Sequence, residues 1–374
     1  MKKIIYAGIL LAAFSFTTLY KQTGKWQVLQ TTNSVDGRSE CGLAAVNGML
    51  YLIGGDGPAA AVQMLNPVTK TWQQKAMAPV MLHHFQALSI NNKIYVLDAF
   101  SEGSFPTQTP ASNVYIYDTQ QDQWQKGGAI PAHRKRAGAG AAVYNGKLYL
   151  VAGITHGHTS GTNNMFDVYD PATGTWDSLP NAPHIRDHAT AAVIKDKLYA
   201  VGGRNTSFRD PENKLNFFSQ TVLEVDCYDF KTGQWSTLPY KLPLGTGGGA
   251  MVNLNDKLYY MGGERATATE QNAPRKNVYY FDPSVSDGWI AAPGLNEARN
   301  GTGACVLNNK IYLAGGSGGG GPRPGGAGGP PPGAGQMPGN PPNGFDPQDT
   351  THRPPPGGGP GGGGKIVVEV FTAN

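Results

Sequence analysis

Short apolar runs recur along the chain with the alternation and the β-branched and aromatic content of strands, not the three-to-four spacing of helices. Ala141-Ala142-Val143 and Leu148-Tyr149-Leu150-Val151 are typical pairs. The second run of each pair carries a recurring Lys-Leu-Tyr or Lys-Ile-Tyr, at Lys93-Ile94-Tyr95, Lys147-Leu148-Tyr149, Lys197-Leu198-Tyr199, Lys257-Leu258-Tyr259 and Lys310-Ile311-Tyr312, with Leu50-Tyr51 as the first copy. Between the two runs lie Asn47-Gly48, Asn91-Asn92, Asn145-Gly146, Asp196, Asn255-Asp256 and Asn308-Asn309. These residue types tolerate the positive φ of a type I′ turn, so each pair is predicted to be a tight hairpin. Next comes Gly54-Gly55, Gly202-Gly203, Gly262-Gly263 or Gly315-Gly316, with Ala152-Gly153 as a near match and Asp98-Ala99 as a departure. A third run then ends in a turn before a Trp that opens a fourth, as in Tyr169-Asp170-Pro171-Ala172-Thr173-Gly174-Thr175-Trp176. Four strands per unit, repeated at roughly 45 to 60 residues, are the mark of a propeller.

The combination resembles the Kelch repeat, and the resemblance extends from about Lys21 to the end of the chain. It implies an all-β fold, a six-bladed Kelch β-propeller. Lys365-Ile366-Val367-Val368-Glu369-Val370-Phe371 reads as a third strand with no Trp after it, while Thr23-Gly24-Lys25-Trp26 reads as a fourth strand with nothing before it. An N-terminal strand is therefore expected to complete the last blade and close the ring. The Trp and Tyr positions recur with the repeat, which assigns them to packing between blades.

Composition changes the picture further. Lys2-Lys3 followed by an apolar run from Ile4 to Phe16 reads as a secretory signal over residues 1–20, with an uncleaved anchor as the alternative. The expectation is a monomer exported to the periplasm or the exterior, touching a membrane only if that segment stays attached. Within the propeller, residues 21–374, the stretch 317–364 is nearly all Gly and Pro and is expected to be a disordered loop insertion. The net charge is only +4 and the Lys and Arg are scattered along the repeats, not massed on one segment, so no nucleic-acid stripe is expected. Cys41, Cys227 and Cys305 make no disulfide framework and read as buried free thiols. No Cys-x-x-Cys or His-x-x-x-His spacing calls for a metal, His156 and His158 read as surface loop residues, and no cofactor is expected.

In a four-stranded meander the loops after strands two and four share one face, and that face carries every long insertion. Aligned on the repeating Tyr, the position just before the first strand holds Arg38, Arg136, Arg186 and Arg299, with Leu82 and Thr246 in the other two units. Beside them stand Glu40, His84, Asp187, His188 and Asn300. First strands line a propeller's channel, so these groups are expected at its mouth, where the arginines, with Asp187 and Asn300, would hold an anionic carbohydrate or an acidic protein segment. The alternative is that the Arg is a recurrent blade element paired with nearby acids or carbonyls. The resemblance also suggests an enzyme. N-acetylneuraminate epimerase, a sialic acid mutarotase family of exported Kelch chains, has a Glu after the second-strand Gly, which Gly263-Glu264 is similar to, although Arg265 and Arg275 follow at a different spacing. On that reading Glu264, Glu40, His84 and His188 are the candidates for proton transfer.

Overall fold

The computed structural model describes residues 24–33, 35–208, 216–267, 269–270, 272–285, 288–318 and 364–373. The expected signal segment and nearly all of the Gly/Pro tract lie outside them. Six four-stranded antiparallel sheets stand round a channel. The first blade is Cys41–Val46, Met49–Gly54, Ala61–Asn66 and Thr71–Met77, and the third, the longest, is Gly140–Tyr144, Lys147–His156, Ser160–Asp170 and Thr175–Leu179. In the last blade Gly303–Leu307, Lys310–Ala314 and Val368–Ala373 are joined by Gly24–Leu29 from the other end of the chain, so the ring closes as the sequence predicts. Trp26 faces Phe371 in that register, their rings 5.1 Å apart, and donates its indole N–H to Pro293 O of the fifth blade at 2.9 Å.

The hairpins follow from turn chemistry. Asn47-Gly48, Asn145-Gly146, Asn255-Asp256 and Asn308-Asn309 all adopt positive φ at both positions. The Gly-Gly pairs are needed for space as well as for φ. At Gly203, φ +88°, a Cβ would stand 2.7 Å from the carbonyl oxygen of Asp187, and at Gly55 it would press on the Arg38 side chain. Each repeat places its second-strand Tyr and its Trp among apolar residues of the neighbouring blade, as where Tyr51 and Tyr117 pack together with Ile53 and Val96. Cys41, Cys227 and Cys305 are buried free thiols, and burial raises the first two to about 11.

The insertions rise from the loops between strands two and three. Phe100–Glu102 pairs with Thr109–Pro110, Glu264–Arg265 pairs with Ala273–Pro274, and the third blade extends its two central strands as a ribbon to His156 and Ser160. They stand over the end of the channel where each first strand begins.

Candidate functional site at the channel mouth

One residue per blade turns the chain into the first strand, and it does so in the left-handed region every time: Glu40 (φ 55°), His84 (63°), Gly138 (62°), His188 (50°), Gly248 (66°) and Gly301 (60°). This conformation aims the carbonyl at the next blade. His84 N–H donates to Glu40 O at 3.0 Å, Gly138 N–H to His84 O at 2.7 Å, Ala189 N–H to Gly138 O at 3.3 Å, Gly248 N–H to His188 O at 2.8 Å, Gly301 N–H to Gly248 O at 2.8 Å and Cys41 N–H to Gly301 O at 3.4 Å. The six bonds form a circle that ties the blades at the mouth. Glycine takes a left-handed φ without penalty, whereas other residues pay strain of about 1 kcal/mol or more there. Half of the circle nonetheless carries side chains, and glycine makes room for them: a Cβ at Gly301 would run into the Glu40 carboxylate, and one at Gly138 would approach His188.

Glu40, His84 and His188 line a cavity of about 70 Å³ inside this circle. Below it the channel holds a second space of about 260 Å³. Gln86 borders both and bridges two first strands, its Oε1 accepting Ala141 N–H and Ala191 N–H at 2.8 Å each.

The expected arginine clamp is corrected by the structure. Arg136, Arg186 and Arg299 are at most 1% exposed and point into their own blades. Arg136 meets Asp167 at 2.7 Å, Arg186 meets Asp226 at 2.7 Å and Arg299 meets Glu369 at 2.6 Å. Each also donates to the carbonyl that opens the Gly-Gly step, Ala152 O at 2.6 Å, Gly202 O at 3.0 Å and Gly315 O at 3.0 Å. Arg38 does the same to Gly54 O at 3.1 Å, is half-buried, and has no carboxylate within ion-pair distance among the described residues. The register explains the pattern. Asp167, Asp226 and Glu369 occupy one third-strand position, opposite Leu150, Ala200 and Leu313, and that position is Gln63 in the blade of Arg38. Where the arginine is replaced by Leu82 or Thr246, the acid is replaced by Tyr115 or Tyr279. In five of the six blades guanidinium and carboxylate are present together or absent together, and Arg38 with Gln63 is the exception, which is how a largely structural pair behaves.

What the structure does gather at the mouth is a cluster of imidazoles. His188 Nδ1 lies 2.6 Å from Asp187 Oδ1, His158 Nδ1 lies 3.1 Å from Gln108 Oε1, and the two Nε2 atoms face each other at 3.1 Å. His83 Nδ1 stands 2.5 Å from His84 Nδ1, and His84 Nε2 stands 3.7 Å from Glu40 Oε2. His158 is 5% exposed and belongs to this cluster, which corrects its reading as a surface residue, whereas His156 is exposed. Its place could not be read from spacing, because the partners come from three blades. The nitrogens of His84, His158 and His188 lie within 4.8 Å of one another, so the mouth can hold an imidazole-bound ion that chain spacing does not predict.

Burial and mutual proximity keep the rings uncharged. Burial, then the neighbouring imidazoles, hold His84 well below the usual range; burial, then His188 and Arg204, bring His158 down to about 2. Burial would raise Asp187, but the His188 bond, the Arg204 charge and Thr162 outweigh it and hold the carboxylate at about 2. Glu40 goes the other way, pushed up to about 8 by burial and by the charge of Glu264 against the opposing Arg204. Arg204, which sequence reasoning missed, is 2% exposed, donates to Glu264 Oε1 at 2.6 Å and lies under Phe218 at 4.8 Å. Glu264 is thus an ion-pair partner at the rim. Asn300 is buried beside Gly301, its N–H bonded to Ser317 O at 3.3 Å.

The fold and this mouth define a six-bladed propeller with polar side chains set into its closing circle. The chain belongs to the Kelch-repeat family: the KLHDC2/KLHL20/DRC7 Kelch-repeats domain matches residues 12–203 and again 84–316. Among its relatives is Kelch-like protein terF of Aspergillus terreus, 27% identical over 336 residues, or 84% of this chain and 70% of terF. Kelch-like protein 23 of Pongo abelii is 27% identical over 270 residues, 71% of this chain but 43% of that protein. Alpha-scruin of Limulus polyphemus is 28% identical over 210 residues, and the match spans 21% of its length. Among solved structures, that of YjhT superposes with a TM-score of 0.64 at 18% identity, covering 76% of this chain and 92% of the other, a likeness of fold alone.

Proposed function

We infer that the chain is an exported Kelch propeller that binds a carbohydrate at the mouth of its channel. The observation that carries the reading is the closing circle, where Glu40, His84 and His188 occupy left-handed positions that the other three blades give to glycine. Strain held at equivalent positions of a repeat, where the side chains reach a common cavity, points to a functional site. Close by, Phe105 is 62% exposed and lies against His158 at 5.1 Å, an apolar face beside polar groups of the kind that receives a sugar ring. The commitment of Arg136, Arg186 and Arg299 inside their blades supports a neutral sugar over an acidic sugar or an acidic protein segment. Export rests on the residues before the propeller. A glycan array followed by calorimetric titration tests the reading: saturable binding should weaken at least tenfold in Phe105→Ala and in Glu40→Gln. Binding that ignores both changes would place the ligand elsewhere.

One contact favours a second reading. A carboxyl group 3.7 Å from an imidazole nitrogen, Glu40 and His84, is an acid–base pair of the kind that opens and recloses a sugar ring. NMR of anomer exchange separates mutarotase from binding module, since a mutarotase accelerates exchange over buffer and a binding module leaves it unchanged.

A further inference from the structure

We propose that His84, His158 and His188 form a binding site for a divalent first-row transition metal ion of the zinc class, facing the small cavity at the channel mouth. The site goes beyond the carbohydrate reading and stands whether or not a sugar binds.

Geometry is the first support. The three ring centroids form a nearly equilateral triangle, 5.0 Å for His84–His158, 4.9 Å for His84–His188 and 5.0 Å for His158–His188. Imidazoles bound to one face of a tetrahedral ion at about 2.0–2.1 Å hold their nitrogens about 3.3 Å apart and their centroids about 5 Å apart. The Nε2 atoms of His158 and His188 are 3.1 Å apart, and no pair among the three ligand atoms exceeds 4.8 Å.

Hydrogen-bond bookkeeping is the second. Asp187 accepts from Thr162 Oγ1, from Thr206 N–H and from Thr206 Oγ1, a set of donors that a carboxylate satisfies. His188 Nδ1, 2.6 Å from the same carboxylate, is therefore the protonated nitrogen. His158 Nδ1 faces the amide oxygen of Gln108, also an acceptor. In a neutral ring one nitrogen donates and the other accepts, so with Nδ1 of His188 committed to Asp187 its Nε2 turns a lone pair toward His158, whose Nε2 lies 3.1 Å away. A carboxylate or an amide oxygen on the far nitrogen is also how proteins fix the tautomer of a metal-bound histidine. Three imidazoles suit zinc, copper, nickel or iron. Because His84 and His188 line the cavity, a fourth coordination position would open into it.

The test uses the full untagged chain after chelator treatment, dialysed against Zn²⁺ and separately against Co²⁺. One equivalent of zinc and the intense visible bands of four-coordinate cobalt are expected. His158→Ala should lose at least 100-fold in zinc affinity and Gln108→Leu about 10- to 100-fold, while His133→Ala, on an exposed turn, should bind as the unaltered chain does. The cobalt spectrum needs no variant to fold. Absent tetrahedral bands, less than one equivalent of zinc in the unaltered chain, or a folded His158→Ala that binds as tightly as that chain would each overturn the proposal and leave a proton shared between His158 and His188.

Discussion

Replacing Arg186 by leucine separates a blade element from a ligand clamp. The guanidinium is fully buried and makes three bonds, to Asp226 Oδ2 at 2.7 Å, Gly202 O at 3.0 Å and Glu224 O at 3.1 Å. Its removal leaves a buried carboxylate with two remaining donors, His184 Nδ1 at 2.8 Å and Thr237 Oγ1 at 2.9 Å. Breaking a buried pair from one side costs about 3–5 kcal/mol, and these two donors place Arg186→Leu toward the lower end. The chain itself supplies the rescue. The second blade carries Leu82 and Tyr115 at these two positions, so Arg186→Leu with Asp226→Tyr installs a combination the fold already uses. The double variant should recover roughly 2 kcal/mol of the loss, a coupling within the range expected for residues in contact. Urea unfolding followed by tryptophan fluorescence measures all three proteins. An unchanged midpoint in Arg186→Leu, or a double variant that loses the sum of the two singles, would refute the structural role.

Other consequences are as direct. Trp26→Ala removes a large side chain from the blade that closes the ring and should cost about 3–5 kcal/mol; an unaltered melting temperature would mean that Gly24–Leu29 does not hold the ring shut. Glu40 has a folded pKa raised from 4.5 to about 8, so its stabilisation is complete below the unfolded value and is lost as pH rises through the folded one. Glu40→Gln should therefore gain on the parent chain between about pH 5 and about pH 9, and parallel denaturation midpoints across that window would contradict it. Gly301→Ala combines a left-handed φ of +60° with a collision against the Glu40 carboxylate and should lower stability by at least about 1–2 kcal/mol in a thermal melt. Cys305, buried with its pKa raised by burial, should react with iodoacetamide only once the chain is unfolded, and labelling of the native protein would be the contrary result.

Most of the architecture is local and repeated, which is why it is legible in the chain. A type I′ turn needs Asn, Asp or Gly where it stands, a strand needs alternation over a few residues, and six copies of the same solution announce a ring. Closure was legible too, because a lone Trp strand at one end and an unfinished blade at the other have a single complementary answer. The first-strand entry position was likewise found by alignment, and Glu40, His84 and His188 do meet there. The direction of a side chain at that position was not legible. Arg186 turns inward because a carboxylate waits across the blade at Asp226, forty residues on in sequence but adjacent in register, and the cost of leaving either charge alone in the interior decides the orientation. His158 joins the mouth because the third blade's ribbon folds back over the channel, bringing its ring to His188 and to Gln108 of another loop. Turns and strands answer to neighbours in sequence, whereas a cluster of buried polar groups is satisfied only by partners in space, and those partners exist only after the blades have closed.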